Sequence, residues 1–121
     1  MAKTSFQVAA NNVGVLTVSE TTSWNDLTSD DFEDFAQATG NALAASLVYV
    51  SVQVRNTHAS QTLFVMLGAG TGATTNRLPV AAGDVQNLDL YGLNATILSL
   101  QGSAATTTGH VLAHFATAGD G

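Results

Sequence analysis

The chain has 121 residues, enough for one domain with a real core. It is 45% hydrophobic but only 10% charged, has no cysteine and carries a net charge of −6. That balance excludes wholesale disorder, disulfides and thiolate chemistry, and with Lys3, Arg55 and Arg77 as the only permanent cations there is no basic stripe for nucleic acid or an anionic membrane.

Residues 1–19 read as an N-terminal arm or strand, and 20–121 as a β-sandwich unit, the whole making a single domain. The start, Met1 to Phe6, lacks the apolar core of a signal peptide, and no apolar run is long enough to span a membrane. Phe6-Gln7-Val8 offers a short strand signal, and Val13 to Val18 a stronger one. Residues 20–46 differ from the rest: six of the nine acidic residues lie here, with Trp24. Ser29 to Ala38 reads as a short helix. Ser29 or Asp30 would cap its first turn, carboxylates would sit at its positive end, and Phe32, Phe35 and Ala36 would share one face. Gly40-Asn41 is its expected stop.

From Val48 to Arg55 apolar and polar residues alternate. This predicts a strand with Val48, Val50, Val52 and Val54 in the core and Tyr49, Ser51, Gln53 and Arg55 on the other face. After a polar turn at 56–61, Thr62 to Leu67 is apolar at nearly every position and predicts a strand buried on both faces or against a neighbouring subunit. Leu78-Pro79-Val80 cannot be a central strand, because Pro79 has no N–H for a ladder. Short strands are expected at 85–90 and 95–100, and a last one at 110–116. With turn signals every 8 to 12 residues, this predicts a mainly β fold: a single antiparallel β-sandwich or jelly-roll-like domain with one short α-helix near residues 29–38.

Candidate chemistry is sparse. Gly68-Ala69-Gly70-Thr71-Gly72-Ala73 has the look of a phosphate loop, but it runs into Arg77-Leu78-Pro79 without the following helix, and no Lys stands at its end. His110 and His114 fall on one strand face about 13 Å apart, too far to share an ion. The acidic residues Asp26 to Asp34 invite Ca²⁺, but the spacing of an EF-hand is absent, and a capped, solvated helix start is the plainer reading. No Gly-x-Ser-x-Gly nucleophile elbow occurs. The expectation is therefore a non-enzymatic protein without cofactor or metal. Trp24, Tyr49, Gln53, Arg55, Arg77 and Tyr91 are the candidate partner-contact residues, aromatic and Arg side chains being favoured anchors.

The order of these segments resembles small β-sandwich virion proteins of tailed bacteriophages. The residues that carry the likeness are Val50 to Val65, with "V-R-N" at Val54-Arg55-Asn56 and "L-F-V" at Leu63-Phe64-Val65, then Leu78-Pro79-Val80-Ala81-Ala82-Gly83-Asp84, and a terminal strand after a small-residue loop. The resemblance covers about residues 48–116. It implies a capsid decoration (cement) protein or a related head or tail component. Such a protein would bind the outer shell, pair with the major capsid protein or other virion proteins, form a homo-oligomer (a trimer by preference) and reside in the virion after assembly in the host cytoplasm. A carbohydrate- or receptor-binding β-sandwich of a tail or fibre is the competing expectation. The acidic segment is not part of the likeness.

Overall fold

A computed structural model describes residues 12–35, 42–70 and 76–117. The expected Phe6–Val8 strand, the Gly40-Asn41 stop and the middle of the Gly/Thr loop at 71–75 lie outside the described residues. Among those described, nine strands form two antiparallel sheets. The strands are β1 (Val13–Glu20), β2 (Asn25–Leu27), β3 (Glu33–Asp34), β4 (Val48–Asn56), β5 (Leu63–Leu67), β6 (Leu78–Val80), β7 (Val85–Asp89), β8 (Leu98–Gly102) and β9 (Thr107–Ala116). One sheet has the order β3-β1-β9-β4-β7 and the other β2-β8-β5-β6. Their inward side chains, among them Val18, Val54, Leu63, Leu100 and Val111, make one buried cluster. β6 takes the edge position that Pro79 requires.

The expected helix is absent. Residues Ser29–Asp31 make a single 3-10 turn, in which the Asp31 carboxylate accepts from the Thr28 N–H at 2.8 Å. The chain then turns extended at Phe32. Glu33 and Asp34 pair with β1, and Leu43 N–H closes on Phe32 O at 3.0 Å. The local cues for a helix start are real, since the turn they cap exists. They are overridden because an extended Phe32 places its ring in the core, edge-on to Phe115 and Tyr49 with centroids 5.1 and 6.1 Å apart. Phe35, expected on the same buried face as Phe32, is 65% exposed. Ala36 to Ala38 lie outside the described residues. Gly14 makes room for this packing: a Cβ there would lie 2.6 Å from Phe32 Cβ and 2.7 Å from Leu43 Cδ1.

The alternation in β4 also has a fault. The register against β9 shifts between Tyr49 and Ser51, a β-bulge. Val48 and Tyr49 are therefore both buried, and Val50 is only half-buried. Beyond the bulge the alternation runs as expected, with Val52, Val54 and Asn56 inward.

Asn56 ties the two sheets together. It is fully buried, and its side-chain amide donates to Gln61 O (2.7 Å) and Val80 O (2.9 Å) while its Oδ1 accepts from His58 N–H (2.9 Å). A buried amide with these bonds made is stabilising where an unpaired one would be costly.

Candidate functional site

The six residues singled out from the sequence do not converge. Tyr49 is corrected outright as a surface candidate: the bulge turns it inward, its ring packs on Phe115 at 4.6 Å, and its hydroxyl donates to Leu27 O at 2.8 Å. Burial, with the Asp31 carboxylate adding to it, pushes the phenol far above its ordinary range, so it stays a neutral donor. Gln53 and Arg55 lie on the outer face of the five-stranded sheet. Arg77 and Trp24 belong to the opposite side of the molecule, against Phe64 and Gly70. Tyr91 is 67% exposed in the turn after β7.

On the outer face of the four-stranded sheet the side chains are bound to one another. The Arg77 guanidinium lies 3.6 Å over the Phe64 ring, and its Nη1 donates to Gln101 Oε1 at 2.7 Å. Gln101 Nε2 donates in turn to Thr22 O. Asp26 Oδ1 accepts from Ser99 Oγ and from Gly70 N–H at 2.9 Å, and these bonds hold its carboxyl below the usual aspartate value. Ser99, itself buried, sits within 2.6 Å of Gly68 O as well. Trp24 is half-buried and packs directly on Gly70, where any Cβ would collide with it. Its indole N–H is buried without an acceptor among the described residues. This face is closed over by residues 68–70 and by its own polar pairings.

The outer face of the five-stranded sheet is different. Its three cross-strand rows follow from the register. The upper row runs Thr17, His110, Arg55, Val85; the middle row Glu33, Val15, Leu112, Gln53, Asn87; the lower row Val13, His114, Ser51, Asp89. Phe35 extends the lower row past Val13, whose carbonyl accepts its N–H at 2.8 Å. The β1 half is apolar, with Phe35, Val13, Val15 and the 38% exposed Leu112, and the β4–β7 half is polar, with Arg55 and Asp89 as its charges. Gln53 Nε2 donates to Asn87 Oδ1 at 3.3 Å, and His110 Nδ1 lies 3.5 Å from Thr17 Oγ1. A shallow open groove of about 300 Å³ follows the middle and lower rows. A second, smaller apolar spot is the turn bearing Tyr91 and Leu93, 67% and 58% exposed.

Among the described residues no group of three or more His, Asp or Glu could hold a metal ion. Three carboxylates of the acidic segment serve local structure: Asp31 and Asp30 accept from Thr28, and Asp26 from Ser99 and Gly70. The sequence signals missed Leu112, Val15 and Phe35 as face residues. The first two read as ordinary strand residues, and the third as part of a buried helix face. Comparison of the chain with family models, with curated proteins and with solved structures gives no match.

Proposed function

We propose that the protein is a virion structural protein of the capsid decoration type, which binds the outside of an assembled shell and stabilises it by protein–protein contact. The observation that carries this reading is a surface with few charges and separate apolar spots, among them Phe35, Val15 and Leu112 on the sheet face and Tyr91 with Leu93 at the turn, divided by the polar strip of Ser51, Gln53 and Asn87. A protein that ties neighbours together needs more than one adhesive spot, and contacts too weak to hold singly become strong when repeated around a lattice. The four-stranded face, with its polar groups already paired, serves as a rigid backing. On this reading the Tyr91–Leu93 turn meets the shell.

The test is co-sedimentation with empty phage heads and, separately, with free shell subunits. Binding to heads alone, reduced at least about tenfold by Tyr91→Ser with Leu93→Ser, supports the proposal. No binding to heads would sink it. A glycan-array signal that disappears with Tyr91→Ser would instead favour a carbohydrate- or receptor-binding module of a tail or fibre.

A further inference from the structure

The outer face of the five-stranded sheet is built so that it can meet itself. Its charges are separated along the strand direction. Arg55, the one permanent cation on this face among the described residues, lies in the upper row beside His110. It has no ion-pair or hydrogen-bond partner among the described residues. Asp89 lies in the lower row, directly across β4 from Ser51, and its carboxylate accepts from the Tyr91 N–H. Between them the middle row places the apolar Val15 and Leu112 beside the neutral Gln53 and Asn87. Glu33 ends that row at the sheet edge, where it is exposed and screened by solvent.

We propose that this face is the contact surface of a two-fold homodimer. The axis lies between the two faces and runs across the strands, along the middle row. Such an axis keeps each strand over its counterpart and reverses its direction. Leu112 then meets Leu112, Val15 meets Val15, and Glu33 comes over Glu33 at the rim of the contact, where solvent screens the two carboxylates. Arg55 comes over Ser51 and the neighbouring Asp89 of the second copy, and the same pair forms again on the other side of the axis. Facing sheets pack about 10 Å apart and neighbouring strands lie about 4.8 Å apart, spans that an arginine side chain crosses. An isologous contact requires a surface complementary to itself under one rotation, and a positive end, an apolar centre and a negative end satisfy that requirement.

Charge also argues for a second copy rather than an unrelated partner. The chain carries −6, so two copies repel through most of their surface. On this face Arg55 offsets Asp89 and leaves Glu33, at the far edge of the sheet, as the one charge of these rows without an opposite, so two acidic molecules approach here at lower cost than their net charge implies. Five strands of this length cover roughly 500 Å² per molecule, near the lower limit of about 1,000 Å² in total for a specific interface, the size class of weak, reversible contacts. The inference does not rest on shell binding. Dimerisation reads out through Leu112 and Arg55, and shell binding through Tyr91 and Leu93.

The test is sedimentation velocity of the full chain between about 1 and 200 µM, the range in which an interface of this size dissociates. Dimers are expected. Leu112→Glu should raise the dissociation constant at least about tenfold, and Arg55→Asp or Asp89→Arg alone about three- to tenfold. The combined Arg55→Asp/Asp89→Arg variant should recover most of the loss, because the swap restores the pair across the axis. As the chain has no cysteine, Leu112→Cys introduces a single thiol, and a short bis-maleimide should join two copies through it much faster than through Tyr91→Cys. The proposal is overturned by a chain that stays monomeric throughout this range. It is overturned equally by a trimer or other oligomer that Leu112→Glu leaves intact, by a charge swap that fails to recover, or by a Leu112→Cys variant that does not cross-link.

Discussion

On the four-stranded sheet the outward polar groups are committed: Arg77 to Phe64 and Gln101, Asp26 to Ser99 and Gly70. On the five-stranded sheet Gln53 pairs with Asn87 and Thr17 with His110, but Phe35 and Leu112 stand in solvent. Both faces draw on the same short menu of residue types, so composition does not separate them. What separates them is that residues 68–70 return over the first, while no described residue returns over the second. On the proposed reading the first is a structural surface and the second an adhesive one, and substitutions should tell them apart.

The largest effect is expected where the two sheets are joined. Asn56→Ala removes two donated bonds and leaves Gln61 O, Val80 O and the His58 N–H without their partner. It should cost about 3 kcal/mol in chemical denaturation and blur the distinction between the faces by loosening the frame behind both. Next, Asp26→Ala should cost about 1 kcal/mol by removing the acceptor of the Gly70 N–H, since Ser99 Oγ keeps Gly68 O, and Arg77→Ala about 1 kcal/mol as well. By contrast Arg55→Ala and Gln53→Ala, on the adhesive face, should change monomer stability by less than about 0.5 kcal/mol. Equal losses on the two faces would erase the comparison.

A smaller effect separates two carboxylates by pH. Glu20 is buried at the end of β1 with only Asn25 Nδ2 donating to it at 3.1 Å, and burial lifts its pKa above the ordinary 4.5. Its folded form thus holds a proton more tightly than the unfolded chain. That contribution is fully present below pH 4.5 and is lost as pH rises through the raised value. Asp26 runs the other way: its lowered value makes its contribution present above 3.8 and lost as pH falls through the folded pKa. Glu20→Gln keeps an acceptor for Asn25 and removes the desolvated charge. It should stabilise the protein at pH 7 by up to about 1 kcal/mol and flatten the decline of stability above pH 4.5, measured by thermal melts across pH.

Much of the fold was legible wherever one face of a segment is buried and the other wet. Val52 to Arg55, the edge position of Pro79 and the last strand at 110–116 all follow from the period of two or from a missing N–H. Less was legible where a local signal competes with a distant one. Ser29 to Asp31 carries the cues of a helix start, and a turn does form there, but Phe32 gains more from the Tyr49 and Phe115 rings than a continued helix would give it. Three-residue β2 at Asn25–Leu27 has too few residues to show any period. Of the candidate site, Gln53 and Arg55 were legible as members of the outward face of β4 and Tyr91 as part of a turn, whereas Tyr49 was misplaced by a one-residue bulge that leaves no mark in an alternating pattern.

The sequence by itself determined that the protein is a mainly β chain with few charges, no thiols and loops of small residues, because side-chain periodicity and composition are local properties. Only the tertiary structure decided which strand faces became surface, which of those surfaces is covered, and that Arg55, Leu112 and Asp89 share one of them. These facts depend on register and on which strands pair. In the five-stranded sheet the neighbours β1 and β9 come from opposite ends of the described chain and β4 from its middle, a juxtaposition that no local pattern encodes.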